Sequence, residues 1–306
     1  MSRHVILGGT GFLGRHVARA LERAGDHVRV VGRGELSEGG SGELDRLLQA
    51  ADVVHHYAWA TVPGSAALDP VGDLGRNIAL TLGILEAMRR RGGGRLLFSS
   101  SGGSVYGRLR IVPAPEDHPL WPLSAYAIAK ATAEHYCQLY HALHGVDVWI
   151  ARIGNLYGGG QDPERGFGAA TTFASQALAG RTLEIWGDGK VVRDYIHVAD
   201  ATAGLIRLAA APAMKGASMP VYNLGSGVGV SLLDLVHALE SQLGRAIDYV
   251  HRAARPYDVP VSVLDIGAAR RDLAWAPNLD LAAGLELTIA DLRADPSARF
   301  ASPFRN

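Results

Sequence analysis

The chain of 306 residues carries one cysteine, Cys137, so it can build neither an internal disulfide nor a multi-cysteine metal site. That scarcity fits a reducing compartment. No stretch approaches the ~18 apolar residues of a bilayer-spanning helix. The first apolar run breaks at Gly8-Gly9-Thr10-Gly11 and leaves no signal-peptide h-region, so a cytoplasmic protein is expected. Neither sign of charge is in excess, with Lys+Arg 30 against Asp+Glu 30. There is thus no uniform basic field for nucleic acid or an anionic membrane, although a local basic pocket stays open. Lysine is rare: only residues 130, 190 and 215 are lysines, so a lysine at a chemically suggestive place is informative. No G-x-S-x-G elbow exists, which disfavours a hydrolase. Gly187-Asp188-Gly189-Lys190 lacks the spacing and hydroxyl of a phosphate-binding P-loop.

The remaining composition builds cores: 48% hydrophobic and 20% charged. The length suits one large or two closely joined domains. Strands are predicted at 4–8, 28–31, 52–57, 95–98 and 146–150, and helices at 13–24, 75–91 and 124–143. This alternation predicts an α/β fold with a doubly wound parallel sheet covered on both faces. Residues 34–45 read as a polar, glycine-rich loop. Beyond about 165 the elements shorten, which places a cofactor domain at 1–165 and a smaller C-terminal domain at 166–306. A strand and helix over 191–210 could rejoin the first domain. A loose tail is expected after Pro296.

Two patterns carry chemistry. Gly8, Gly11 and Gly14 form G-x-x-G-x-x-G between the first strand and first helix. There the backbone can approach a pyrophosphate and the helix N-terminus offers free N–H groups. The second strand ends Val31-Gly32-Arg33-Gly34-Glu35, without an acid at 32 for ribose hydroxyls. Arg33 could meet a 2′-phosphate or stack on adenine, so NAD and NADP both stay open. Tyr126 and Lys130, spaced i, i+4, share a helical face. A nearby ammonium makes a phenol a better base and can hold a ribose. Ser99, Ser100, Ser101 and Ser104 follow the preceding strand and offer a hydroxyl partner. Other candidates fall away. His141-x-x-His144 lacks further ligands, so no metal is expected. His55 and His56 point to opposite faces of a strand. Cys137 and His197 read as structural.

With these residues assembled, the chain resembles the extended short-chain dehydrogenase/reductase superfamily. Within it, the chain looks most like NAD-dependent sugar-nucleotide epimerases and dehydratases of the UDP-glucose 4-epimerase type. The likeness rests on Gly8-Gly9-Thr10-Gly11-Phe12-Leu13-Gly14, Asp52–Ala58 with Asn77, Ser104-Val105-Tyr106-Gly107 and Tyr126-x-x-x-Lys130. It continues with Arg152–Gly158, Glu184–Gly189, Arg193–Val198 and Arg255-x-x-Asp258. The resemblance implies a Rossmann-like fold and a bound NAD touched by Gly8, Gly11, Phe12, Leu13, Gly14, Arg33, Ala58, Asn77, Tyr126 and Lys130. It implies that Tyr126 is the acid/base and that Lys130 holds the ribose. Asn155, Arg193, Arg255 and Asp258 would meet a nucleoside diphosphate sugar.

The family's catalytic hydroxyl stands four before the Tyr of Val-Tyr-Gly. Here that position is Gly102, so Ser104, or else Ser101, is expected to substitute. The leading expectation is a nucleotide-sugar 4-epimerase that oxidises C4 transiently. The alternative is an NADPH-dependent reductase of a 4-keto-6-deoxy nucleotide sugar. A dehydratase is disfavoured because Gly102-Gly103 supplies no acidic pair. The resemblance also implies a homodimer through the helices near 75–91 and 124–143, where Leu82, Leu85, Met88, Tyr136, Leu139 and Leu143 are apolar.

Overall fold

A computed structural model of the chain describes residues 1–38, 41–165, 168–213, 218–255 and 258–294. The first part runs β1 (Arg3–Leu7), α1 (Phe12–Arg23), β2 (His27–Val31), α2 (Arg33–Glu38), α3 (Ser41–Leu48), β3 (Val53–His56), α4 (Pro63–Leu68), α5 (Pro70–Arg91), β4 (Arg95–Ser101), α6 (Ala125–His144) and β5 (Asp147–Ile153). There follow β6 (Asn155–Tyr157), α7 (Ala169–Leu178), β7 (Leu183–Trp186), β8 (Val192–His197), α8 (Val198–Ala210), β9 (Val221–Leu224), β10 (Gly229–Ser231), α9 (Leu232–Leu243), β11 (Tyr249–Arg252), β12 (Val261–Ser262), α10 (Gly267–Leu273) and α11 (Leu281–Ala294). The central sheet has six parallel strands in the order β2-β1-β3-β4-β5-β9.

Each central strand feeds two cores. In β1, Val5 and Leu7 join a layer with Leu47, Ile84, Leu85, Met88 and Cys137, whereas Ile6 joins Val17, Leu21, Leu205 and Leu208 on the other face. Burial on both sides is why these strands show little polar alternation. A third core, with Phe173, Leu183, Ile185, Leu235 and Leu285, belongs to the C-terminal part.

Three expectations change. Residues 34–45 are not a loop: α2 and α3 occupy most of the segment, because Leu44, Leu47 and Leu48 fall on one helical face and pack on the sheet. The 191–210 segment divides. Its helix, α8, packs on α1, but its strand, β8, pairs with β6, β10 and β12 in a second, small sheet. The strand that rejoins the central sheet is β9, beside β5. Leu85 and Met88, expected at a dimer surface, are core residues. The expected tail after Pro296 lies outside the described residues.

Caps fix the helices that carry the site. Asp69 accepts the Gly72 N–H at 2.9 Å ahead of Pro70, and Ser124 accepts the Ala127 N–H at 3.2 Å at the start of α6. Both helices therefore begin at the C-terminal edge of the sheet, beside the ends of β3 and β4.

Histidines occupy the core on either side of β3. His4 Nδ1 meets His55 Nε2 at 2.9 Å, and His55 Nδ1 meets the Tyr57 hydroxyl at 2.7 Å. On the opposite face the Thr81 hydroxyl donates to Asn77 O at 2.8 Å, so at 3.0 Å it can only accept from His56 Nε2. Burial pushes His55 and His56 down to about 3 each. The unfolded chain therefore takes up protons first. Stability is full above the ordinary histidine pKa and falls as the pH drops from about 6.5 toward 3. At pH 5 the two rings together should cost about 4 kcal/mol, a large share of typical domain stability. Thermal melts should show a marked loss between pH 7 and pH 5. A Tm flat over that interval would refute the neutral, buried assignment.

Candidate active site

The strand β4 carries Ser99 and Ser101 to the sheet edge, where Gly102 N–H still donates to Ile153 O of β5 at 2.8 Å. Of the two candidate serines it is Ser101 whose hydroxyl works to lower the Tyr126 pKa. Ser104 Oγ donates to Ser101 Oγ at 2.7 Å and so acts on Tyr126 only through it. The count back from Tyr106 lands inside the turn, whereas the hydroxyl is placed by the end of the strand. Burial raises the Tyr126 pKa, the Asp73 carboxylate adds to the rise, and the Ser101 hydrogen bond opposes it.

Lys130, one turn further along α6, is buried. Its Nζ donates to Ser99 O at 2.7 Å and stands 3.7 Å from the ring centre of Trp59 and 4.9 Å from that of Phe98. Trp59 also meets Tyr126 edge-on, with centroids 6.3 Å apart. Burial pulls Lys130 down to about 7, against the pull of Glu134 and Asp73. Behind the pair, Arg152 donates to Glu134 Oε2 from Nη2 at 2.7 Å and from Nε at 3.1 Å, and to Oε1 from Nε at 3.2 Å. Ser100 also donates to Glu134, and Arg152 reaches Tyr106 OH at 3.0 Å.

The glycine turn between β1 and α1 is a tight cradle. A Cβ on Gly14 would lie 2.3 Å from Gly8 O, and one on Gly8 (φ +85°) would lie 2.5 Å from Ala58 N. Only bare backbone fits here, and α1 begins at Phe12 and Leu13 with no side chain capping its N–H groups. These features fit a dinucleotide pyrophosphate. Asn77 holds the strand-end loop by accepting the Ala60 N–H at 2.9 Å. Glu35, in α2, turns back so that its Oε1 accepts the Gly32 N–H at 3.0 Å beside the end of β2. Arg33 opens that helix and is exposed.

Asn155 follows β5 directly and faces the turn after β4: a Cβ on Gly103 would lie 2.6 Å from Asn155 Oδ1. Arg193 NH1 donates to Val192 O at 2.9 Å and to Val259 O at 2.7 Å, and its NH2 stands 3.5 Å from Asp258. Arg255 lies 4.3 Å from the ring centre of Trp186 at the end of β7. Glu35, Trp59, Asp73 and Trp186 were not assigned these contacts from sequence, whereas Ser101 was the second candidate named for the missing hydroxyl. For Ser101 the strand end was the available signal. Among the described residues no group of three or more His, Cys, Asp or Glu could hold a metal, and no helix is long and apolar enough to cross a membrane.

A model of the NAD dependent epimerase/dehydratase family matches residues 4–225. The chain belongs to that family. It is 32% identical over 314 residues to the UDP-glucose 4-epimerase of Mycolicibacterium smegmatis, covering 95% of this chain and 98% of that one. It is 31% identical to UDP-glucuronic acid decarboxylase 3 of Arabidopsis thaliana, covering 95% and 89%. The crystal structure of Thermotoga maritima UDP-glucose 4-epimerase with UDP-glucose superposes with a TM-score of 0.87 at 30% identity, covering 95% of this chain and 99% of that one. NAD is the cofactor of this family.

Proposed function

We propose that the protein is a nucleotide-sugar 4-epimerase that works by transient oxidation at C4. The observation that carries this reading is the Ser101–Tyr126–Lys130 set at the sheet edge beside the Gly8–Gly14 cradle. NAD, held at the Gly8–Gly14 cradle, would supply a reversible hydride acceptor for C4. Tyr126, as the phenolate, takes the proton of the C4 hydroxyl and gives it back, and the Ser101 hydroxyl stabilises the phenolate before the first of these steps and after the second. Lys130 holds the cofactor ribose and favours the phenolate by its charge. Residues 1–165 with α8 and β9 form the cofactor domain, and most of 166–306 forms the sugar-nucleotide domain. There Arg193 and Arg255 suit a diphosphate, Asp258 suits a sugar or nucleoside hydroxyl, as does Asn155 at the domain boundary, and the Trp186–Arg255 stack suits a nucleobase.

Purified protein given common nucleoside diphosphate sugars, with product stereochemistry read by NMR, tests the reading. A 4-epimer formed without added cofactor supports it. Stoichiometric consumption of added NADPH with a 4-keto sugar would replace it with the reductase.

Ser101→Ala should lower kcat at least tenfold, and Ser104→Ala by less, because Ser101 favours the phenolate whereas Ser104 hydrogen-bonds Ser101. Steady-state kinetics of the two variants decide the order, and a larger loss in Ser104→Ala would overturn it.

A cytoplasmic homodimer is part of this proposal. Leu74 of α5 and Ile128, Leu139 and Leu143 of α6 are exposed apolar residues on two helices that pack together. Light scattering at micromolar concentration should give twice the chain mass.

A further inference from the structure

The Lys130 ammonium is buried and rests on one carbonyl and two aromatic rings: Ser99 O at 2.7 Å, the centre of Trp59 at 3.7 Å and that of Phe98 at 4.9 Å. An aromatic face attracts a cation through its quadrupole, most strongly in tryptophan and most of all where water is excluded. It balances the charge without a carboxylate, so N–H donors of the ammonium stay free for ribose hydroxyls. The same indole stands nearly at right angles to the Tyr126 ring, at 75° with centroids 6.3 Å apart. One ring therefore borders both members of the acid–base pair.

Two further observations concern Trp59. Its backbone is pinned on both sides. A Cβ on Gly8 of the cradle would lie 2.5 Å from Ala58 N, and Ala60 donates its N–H to Asn77 Oδ1 at 2.9 Å. Its Nε1, by contrast, is buried and has no hydrogen-bond partner among the described residues. A buried N–H left unpaired is a cost that leucine or phenylalanine at 59 would avoid. What tryptophan adds over either is the strongest face for a cation, and a cation lies on that face.

We propose that Trp59 is a positioning residue for the reaction: its face seats the Lys130 ammonium and its ring aligns Tyr126, from the loop that closes on the glycine cradle. Charges nearby act in the same sense on Lys130. Glu134 of α6, which Arg152 of β5 pairs, and Asp73 of α5 both favour the ammonium. Burial keeps His56 of β3 and the Cys137 thiol of α6 neutral. The ring adds to these charges and fixes where the ammonium sits.

This inference rests on the roles given above to Tyr126 and Lys130. Site-specific replacement of Trp59 by mono-, di- and trifluorinated tryptophan keeps the shape of the ring and withdraws negative charge from its face step by step. In the holoenzyme kcat should fall with each step. In Trp59→Leu it should fall by about tenfold or more, the scale of a desolvated cation–π contact. Trp59→Phe, which keeps a smaller face, should lie between Trp59→Leu and the wild type. A kcat that stays level along the fluorine series would show that Trp59 only fills space, and would overturn the proposal.

A second measurement is independent of turnover. With three lysines in the chain, ¹³C-lysine labelling gives a spectrum in which Lys130 is assigned by its absence from Lys130→Met. The Lys130 signal should titrate at progressively lower pH along the fluorine series, because the ring face favours the charged form. A midpoint that does not move would defeat the proposal even if Trp59→Leu does not fold. If no nucleotide sugar is turned over while the midpoint follows the series, the functional reading fails and the aromatic seat stands.

Discussion

Tyr126→Phe is expected to lower kcat by about 10²–10⁴-fold, the usual worth of general acid–base catalysis. The change removes one hydroxyl, whose side-chain bond is to Ser101, and leaves the ring edge-on against Trp59. Helix α6 keeps its Ser124 cap and its Glu134–Arg152 anchor, so Tm and bound NAD should match the wild type. The loss corresponds to about 3–5 kcal/mol of transition-state stabilisation, at 1.36 kcal/mol per factor of ten. It should appear in kcat rather than KM, because a phenylalanine ring still fills the pocket. Steady-state kinetics together with cofactor stoichiometry and thermal melts separate the cases. A variant within a few-fold of wild-type kcat would remove Tyr126 from the chemistry.

Glu134→Ala should have the largest effect on stability. Glu134 and Arg152 are both buried, and the pair ties α6 to β5 while Ser100 ties it to β4. Removing the carboxylate leaves Arg152 with the Tyr106 hydroxyl and Glu116 O as partners, but with no compensating charge. Breaking a buried pair in this way costs about 3–5 kcal/mol. Because Glu134 stands one turn beyond Lys130 and two beyond Tyr126, activity should fall as well. Replacing both partners with apolar residues of similar volume, Glu134→Met with Arg152→Met, should recover much of the stability. Urea midpoints of the single and double variants make the comparison. A double variant no more stable than Glu134→Ala would show that packing, not the stranded charge, sets the cost.

The chemistry of this protein was legible where it depends on spacing along one element. Tyr126 and Lys130 share a face because a helix turns every 3.6 residues, and the three glycines sit between a strand and a helix that the apolar pattern already marks. The parallel sheet was legible for the same reason: β1, β3, β4 and β5 are apolar on both faces and are separated by helices. Segment 34–45 was misread because its polar and glycine residues outnumber the leucines, although only Leu44, Leu47 and Leu48 need to face the sheet for α3 to form.

What the chain order could not reveal are contacts between segments distant in sequence. Whether Ser101 or Ser104 meets Tyr126 depends on where β4 stops, and hydrogen bonding to β5 decides that. That Glu35 reaches the end of β2 depends on a helix whose existence rests on its tertiary packing. That Trp59 covers the Lys130 ammonium depends on α6 packing against the loop after β3, 71 residues away in the chain. Fold class, the glycine turn and the shared face of Tyr126 and Lys130 follow from local periodicities that any reader of the chain can count. Which serine lies nearest the phenol and which buried charges neutralise each other follow from packing alone, because burial and pairing join segments far apart in the chain.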